Sequence, residues 1–343
     1  MFKRISYLAT AIVLANVLLG SASYGMLEEG DQRGLSIKQP FKPASTEDYI
    51  LKCLHNAGYK TDGYTSIQPM RGVGSNTEKI YLIQLGQEGG KETQLICKEL
   101  KGKKKEIENL EALRPFADEY EKFTESQPYA LPQQHPILAT YRGALKQNDR
   151  EFALFKLASG ESVFDLMIEW TQKGYGYYSC MRPAAAKNKM SYHFENVGRA
   201  TANFYLKHGK FDEEENIFRT MRHGDLHISN IFYNIYTNGT TFIDYETMKT
   251  DEVINYDAYR LFSFSKDEIF PLVKERAGIE FCRSRDVILL NKQAERERDA
   301  YIMERLTILD DFFYALEKGF TQGFERAGYI CDTSTWQVKR RGH

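Results

Sequence analysis

Regularly paired cysteines are missing from this sequence. The 343 residues include five cysteines, an odd number without paired spacing. A disulfide-stapled fold and a cysteine-rich metal site both need such pairs. The sequence therefore excludes a disulfide framework and leaves room for at most one or two bridges, in which Cys180, Cys282 and Cys331 are the candidate partners.

An excess of charge of either sign is also missing. Lys plus Arg number 46 and Asp plus Glu number 47, so the formal net charge is −1. Nucleic-acid binding usually shows as a strong basic excess, and the composition therefore gives no indication of a nucleic-acid partner. Internal repeats and long low-complexity tracts are absent. The length instead suits a two-lobed enzyme with a sizeable core.

Long apolar runs are confined to the N-terminus. Lys3 and Arg4 precede an apolar run at residues 11–19, and small residues follow it. This order is typical of a secretory signal peptide, so we predict a leader at residues 1–25 and a polar linker at 26–45. The mature protein is then secreted or extracytoplasmic, or delivered into a host cell, with no membrane span. An uncleaved anchor is the alternative, although the run is short for a span of about 20 residues.

The most informative stretch chemically is the loop at residues 223–230, which reads HGDLHISN. Asp225 and Asn230 have the spacing of the catalytic Asp and metal-binding Asn in the kinase loop HRDLxxxN. Asp244 follows at the end of an apolar run. Phosphoryl transfer needs one carboxylate for the proton of the acceptor hydroxyl, and an amide oxygen with a second carboxylate to hold Mg²⁺ against the phosphates. We therefore predict Asp225 as the catalytic residue and Asn230 and Asp244 as metal ligands.

Two short strand-like runs lie between these residues. Residues 231–233 and 241–243 are apolar or β-prone, and a turn sequence ending in Asn238-Gly239 joins them. A hairpin of this kind would bring Asn230 and Asp244 to neighbouring strand ends, as a shared metal ion requires. A plain loop is the alternative, because Asp, Asn and Gly are also common turn residues.

The loop and the segment around Asp244 resemble aminoglycoside phosphotransferases and choline/ethanolamine kinases, which are small-molecule relatives of the protein kinases. Gly-Asp in place of Arg-Asp, and Asp-Tyr-Glu in place of Asp-Phe-Gly, favour this branch. The resemblance implies an α+β, two-lobed protein-kinase-like fold with a small β-rich N-lobe and a larger α-helical C-lobe. It also implies ATP and Mg²⁺ as cofactors. Supporting positions match at His223, His227, Glu246 and Asp257, the last of which is expected to brace the catalytic loop.

Upstream segments resemble the nucleotide-binding half of the same family. Glycines between two predicted strands let backbone amides approach phosphate oxygens closely. The candidates in this turn are Gly72, Gly74, Ser75 and Asn76. Lys98 is the basic residue in the apolar part of the following strand, and the resemblance assigns it to the ATP phosphates. An ordinary hairpin turn and a solvent-facing edge lysine are the alternatives.

Two further features belong to the predicted nucleotide site. The resemblance pairs Lys98 with a glutamate of the next helix, where spacing favours Glu108 or Glu111 over Glu106. An apolar strand that ends before Gly160 resembles the family's hinge, whose backbone binds adenine. The expected adenine contacts are Lys156, Leu157 and Ala158.

The resulting domain prediction is an N-lobe at residues 46–158 and a C-lobe at 159–343. The predicted reaction moves the γ-phosphoryl group of ATP to a hydroxyl of a small molecule that is choline/ethanolamine-, aminoglycoside- or sugar-like. One alternative is an exported kinase that modifies a protein, such as a host protein. Another is a non-catalytic module with the kinase fold, which ranks last because Asp225 and Asp244 are both present.

Overall fold

The computed structural model describes residues 45–61, 65–70, 77–86, 92–101, 106–126, 135–178, 180–285 and 292–341. These residues form two units, each described by itself below. Unit 1 comprises the described residues of Met1–Ile107 and Tyr141–Leu157, and unit 2 comprises those of Glu108–Thr140 and Ala158–His343. The predicted leader and most of the predicted linker lie outside the described residues, as do Gly72, Gly74, Ser75 and Asn76.

Helices and strands are mixed along the chain, which confirms the α+β class. The helices are α1 (Thr46–Asn56), α2 (Glu106–Glu125), α3 (Val163–Lys173), α4 (Pro183–His208), α5 (Asn255–Tyr259), α6 (Ser265–Arg285) and α7 (Lys292–Arg326). The strands are β1 (Thr65–Met70), β2 (Thr77–Gly86), β3 (Glu92–Leu100), β4 (Ile137–Leu138), β5 (Tyr141–Gln147), β6 (Arg150–Lys156), β7 (Glu161–Ser162), β8 (Lys210–Asp212), β9 (Ile217–Arg222), β10 (Ile231–Asn234), β11 (Gly239–Phe242), β12 (Lys249–Val253), β13 (Tyr329–Asp332) and β14 (Gln337–Arg340).

Unit 1 is built on an antiparallel sheet with the strand order β1-β2-β3-β6-β5. Alternate residues of its strands are apolar, so one face of the sheet carries a row of buried side chains such as Ile83 and Leu95. Helix α1 covers that row with Ile50 and Leu54, both fully buried. Each large apolar side chain buried in this way contributes about 1.5–3 kcal/mol. Ser45 caps the N-terminus of α1 and forms a capping box with Asp48.

Unit 2 contains most of the helices. Its aromatic core joins α3, α4 and α7, where Trp170, Phe194 and Phe312 contact one another with ring centroids 4.7–6.3 Å apart. Edge-to-face and offset pairs at such distances add to the energy of area burial. Strands β4-β11-β10-β7 and β12-β9-β8 form two further small sheets, and these sheets carry the loops of the candidate site.

Helix α2 belongs to unit 2 except for its first two residues, which differs from the predicted N-lobe boundary. Helix α2 belongs to unit 2 because aromatic residues on one of its faces pack against α4. The ring of Tyr120 lies 5.5 Å from that of Phe204 and 5.3 Å from that of His208, both on α4. Phe116 also contacts His208 at 5.0 Å. The chain passes from unit 1 into unit 2 for the second time after Leu157.

Three further findings concern the remaining predictions. Residues 329–340, in the part of the chain predicted as an α-helical C-lobe, form the hairpin β13–β14, and Trp336 of this hairpin stacks on Phe262 at 4.3 Å. All five cysteines are free thiols, so no bridge joins Cys180, Cys282 or Cys331. Among the described residues, no helix is both long and apolar enough to cross a membrane.

Candidate active site

The predicted catalytic loop connects β9 to β10. It leaves β9 after Arg222, turns at Gly224, which has a φ of 88°, and enters a short 3-10 helix over Ile228–Asn230 before β10 begins. A side chain at Gly224 would be strained at that φ and would lie 2.7 Å from the carbonyl oxygen of Thr247. The glycine of the motif is therefore required by the path of the loop.

Asp257 holds the start of this loop. It is fully buried on α5, and its carboxylate accepts hydrogen bonds from the backbone N–H of His223 (2.6 Å) and of Gly224 (2.8 Å). The hydroxyl of Tyr205 donates a third bond of 2.9 Å. Burial raises the pKa of Asp257, while His223 and these donors oppose the rise because they favour the charged form. The carboxylate lies where a brace for the loop was expected.

His223 is a structural side chain of the loop. Its ring is fully buried, and burial lowers its pKa, so the ring is neutral. Nε2 lies 3.0 Å from the carbonyl oxygen of Ile243, which can only accept, so Nε2 carries the proton. Nδ1 is then free of a proton and accepts a long bond of 3.4 Å from the backbone N–H of Asp225. His223 thus ties the loop to the segment that precedes Asp244.

Asp225 stands at the solvent-facing part of the loop, with 40% of its side chain exposed. Its Oδ1 atom accepts a hydrogen bond from a guanidinium N–H of Arg260. Its Oδ2 atom lies 3.8 Å from Nε2 of His227. Burial lowers the pKa of His227, and Asp225 opposes the change. The accessible carboxylate is the group that could accept a proton from a bound hydroxyl compound.

Asn230 and Asp244 lie at neighbouring strand ends, as predicted. Strands β10 and β11 pair with Ile231 opposite Phe242, and the N–H of Ile243 donates to the carbonyl oxygen of Asn230 at 3.0 Å. The amide nitrogen of Asn230 donates to the carbonyl oxygen of Asp225 at 2.9 Å, which leaves its amide oxygen as the atom able to bind a cation. Asp244 lies two residues after the end of β11 and adopts a φ of 55°. One amide oxygen and one carboxylate fit a Mg²⁺ ion that takes its other ligands from phosphate and water.

The segment after Asp244 returns to the loop. Glu246 is partly buried two residues further on. The hydroxyl of Thr247 donates to the carbonyl oxygen of His223 at 2.9 Å. Within the described residues, no group of three or more His, Cys, Asp or Glu side chains is arranged to hold a metal ion.

Lys98 lies in the middle of the sheet of unit 1. Strand β3 pairs with β2 on one side and β6 on the other, where Lys98 is opposite Ile80 and Ala153. The alternative of a lysine on an edge strand is therefore wrong. Its Nζ atom lies 5.0 Å from the ring centroid of Phe155, within the range of a cation–π interaction.

The glutamates proposed as partners of Lys98 differ in burial. Glu108 and Glu111 are exposed, and Glu111 lies 3.7 Å from Arg114 in a surface ion pair. Glu106 is only 5% exposed and belongs to unit 1, as Lys98 does. A buried carboxylate needs a compensating charge or hydrogen bond, so burial favours Glu106 over the two residues that spacing favoured.

The predicted adenine contacts fall at the end of β6. Lys156 is its last residue, and the N–H of Leu157 donates to the carbonyl oxygen of Gln94 at 3.4 Å. Lys156 and Leu157 belong to unit 1 and Ala158 to unit 2.

Three residues of the site were missed by sequence reasoning: Arg260, Ser265 and Tyr205. Arg260 contacts Asp225, Ser265 contacts the backbone of Ile228, and Tyr205 contacts Asp257. A clue was present for Arg260, which lies three residues after Asp257 and therefore on the same helical side.

Comparison with known proteins adds no family to this geometry. A scan against protein-family models finds no match, and a search of curated proteins finds none either.

Proposed function

We propose that this chain is a phosphotransferase that moves the γ-phosphoryl group of ATP to a hydroxyl of a small molecule. The observation that carries the proposal is the placement of Asp225, Asn230 and Asp244 around one hairpin. The loop offers an accessible carboxylate, and the two strand ends offer an amide oxygen and a second carboxylate. These are the groups that phosphoryl transfer needs at the acceptor and at the metal.

Each residue has a chemical role in this proposal. Asp225 orients the acceptor hydroxyl and takes its proton, while the new bond forms between the acceptor oxygen and the γ-phosphorus. The bond between that phosphorus and the β,γ-bridging oxygen breaks, and ADP leaves. Asn230 and Asp244 would hold Mg²⁺, which neutralises phosphate charge when bound. Lys98 would bind the α- and β-phosphates, with Glu106 as its best-supported partner.

The finer statement about fold also belongs to this proposal. The resemblance of the two motifs to aminoglycoside phosphotransferases and choline/ethanolamine kinases supports a two-lobed, kinase-like arrangement. In that arrangement the sheet of unit 1 is the N-lobe and the helical unit 2 is the C-lobe. Gly72, Gly74, Ser75 and Asn76 would cover the phosphates, and residues 156–158 would contact adenine.

Export is the second part of the proposal. The basic residues and apolar run at residues 3–19 support a cleaved leader. Because the reaction uses ATP, the exported enzyme must reach a compartment that contains nucleotide, such as the cytosol of another cell. A protein acceptor in that cell is the alternative substrate.

Radiolabelled ATP tests the proposal directly. The chain without residues 1–25 is incubated with γ-³²P-labelled ATP and Mg²⁺, together with choline, ethanolamine, sugars, aminoglycosides or a host-cell protein extract. Label in a small molecule supports the proposed acceptor class, and label in a protein favours the alternative. If neither receives label and ATP is not hydrolysed, the enzyme assignment is wrong.

A further inference from the structure

Arg260 is the described residue whose side chain contacts the catalytic carboxylate most directly. It begins a π-helical segment, Arg260–Phe264, that links α5 to α6. A π-helix inserts an extra residue into a helical turn and is found mostly at functional sites. Here it follows Asp257, the residue that holds the loop, so the brace and Arg260 are carried by one continuous helical stretch.

The guanidinium group of Arg260 has little freedom of position. Its central carbon lies 3.9 Å from the ring centroid of Phe264, so the planar group stacks on the aromatic face. Only 20% of the side chain is exposed. A stacked and mostly buried arginine loses less conformational entropy on binding a carboxylate than a free surface arginine does.

A second connection joins the π-helical segment to the same loop. The hydroxyl of Ser265 donates to the carbonyl oxygen of Arg260 at 2.9 Å. The hydroxyl oxygen of Ser265 in turn accepts a hydrogen bond of 3.2 Å from the N–H of Ile228. Ser265 is fully buried. The loop is therefore attached to this segment at two points, at Asp225 through a side chain and at Ile228 through its backbone.

The two oxygens of Asp225 have different surroundings. Oδ1 is occupied by Arg260, whereas Oδ2 faces His227 at 3.8 Å, which is too long for a hydrogen bond. Rotation of the carboxylate would break the charge-assisted bond to Arg260, one of the stronger hydrogen bonds in proteins. Oδ2 is thus the atom left to meet an acceptor hydroxyl.

We propose that Arg260 is a positioning residue for phosphoryl transfer, which fixes the catalytic carboxylate so that Oδ2 faces the acceptor. This inference rests on the proposed function. The guanidinium acts through Asp225 and takes no proton itself. Misplacement of a reacting group by about 1 Å costs on the order of 10²-fold in rate, so we expect a loss of that size in kcat when the contact is removed.

The test compares Arg260→Ala and Arg260→Lys with wild type and with Lys266→Met. The control removes a cation from the next turn, where Lys266 pairs with Asp310 in an exposed ion pair. With labelled ATP, Mg²⁺ and the best acceptor of the panel, we expect kcat of Arg260→Ala to fall about 10²-fold, while KM for ATP changes less than threefold. Arg260→Lys and low, non-denaturing concentrations of guanidinium added to Arg260→Ala should each restore part of kcat. The control should match wild type.

Two kinetic outcomes overturn the inference. One is an Arg260→Ala enzyme with the kcat of wild type. The other is a loss of kcat that is restored neither by lysine nor by guanidinium and is accompanied by a lower melting temperature, because this pattern describes a general loss of structure.

A crystal structure of Arg260→Ala gives a readout that needs no activity. A rotated or disordered Asp225 carboxylate supports the inference, and an unchanged carboxylate overturns it. If wild type transfers no phosphate, the proposed function fails, and the crystal structure still decides whether Arg260 positions Asp225.

Discussion

Replacement of Asp257 by alanine should destabilise unit 2 and release the loop at residues 223–230. The side chain is fully buried and accepts three hydrogen bonds, from the N–H groups of His223 and Gly224 and from the hydroxyl of Tyr205. Alanine leaves these three donors without their acceptor. Each buried donor left unsatisfied costs about 1–3 kcal/mol.

The destabilisation from these three unsatisfied donors is partly offset by the removal of a buried charge. Burial raises the pKa of Asp257, which shows that the charged carboxylate is itself costly to bury, and alanine removes that cost. We therefore expect a net loss of about 2–5 kcal/mol in the free energy of unfolding. A loss of this size is a large part of the total stability of a typical domain, about 5–15 kcal/mol.

Urea unfolding followed by tryptophan fluorescence measures this loss. Trp170 and Trp336 are the two tryptophans of the chain, and both lie in unit 2 with Asp257. The control is Asp299→Ala, which removes a carboxylate that is 65% exposed and should change stability by less than about 0.5 kcal/mol. A change as small as that in Asp257→Ala would refute the assignment of Asp257 as the brace of the loop.

Three further predictions test other parts of the structure. Burial lowers the pKa of His193 to about 4, so the unfolded chain binds a proton between pH 6.5 and 4 that the folded chain does not. The free energy of unfolding should therefore fall as the pH is lowered through this window, by at most about 1.4 kcal/mol per pH unit for this residue. Urea unfolding of His193→Gln should show a weaker dependence of stability on pH. Gly160 has a φ of 92°, and an added Cβ would lie 2.2 Å from the carbonyl oxygen of Tyr233, so Gly160→Ala should lower the free energy of unfolding by about 2 kcal/mol or more. The control Gly176→Ala, where an added Cβ meets nothing within 4 Å, should be nearly neutral. Equal melting temperatures of the two variants would contradict the clash at Gly160. Asp244→Ala should weaken the thermal stabilisation by Mg²⁺ and ATP, and a shift equal to that of wild type would show that Asp244 is not a ligand.

Local patterns in the sequence predicted the parts of the site that lie close together along the chain. The hairpin β10–β11 follows from two short apolar runs and the turn at Asn238-Gly239, and its register places Asn230 beside the segment of Asp244. Each of these features depends on a few neighbouring residues, so a single sequence contains the necessary information.

Contacts between distant residues could not be predicted in the same way. Arg260, which bonds to Asp225, begins a π-helical turn, and nothing in the local pattern of residues 260–264 distinguishes that turn from an α-helix. The place of α2 in unit 2 depends on how its aromatic residues meet α4. Among the candidate glutamate partners of Lys98, burial separates Glu106 from the exposed Glu108 and Glu111, and spacing along the chain does not predict this difference.

The C-terminal hairpin β13–β14 could not be predicted from the sequence for a different reason. Its strands β13 and β14 have four residues each, too short for a clear alternation of apolar and polar side chains. The turn between them is stabilised by Asp332, whose carboxylate accepts from the N–H and hydroxyl of Ser334. The hairpin packs through Trp336, which stacks on Phe262, and this contact appears only once the helices are assembled.

The central claim is that Asp225 is the catalytic carboxylate of a phosphotransferase. Its most direct test is the rate of label transfer from γ-³²P-labelled ATP by Asp225→Asn, measured beside the affinity of the same variant for ATP and Mg²⁺. Because asparagine keeps the size of the side chain and cannot accept the proton, we predict a rate lower by about 10²–10⁴-fold with nucleotide affinity within threefold of wild type. A variant that transfers phosphate at the wild-type rate would contradict the account.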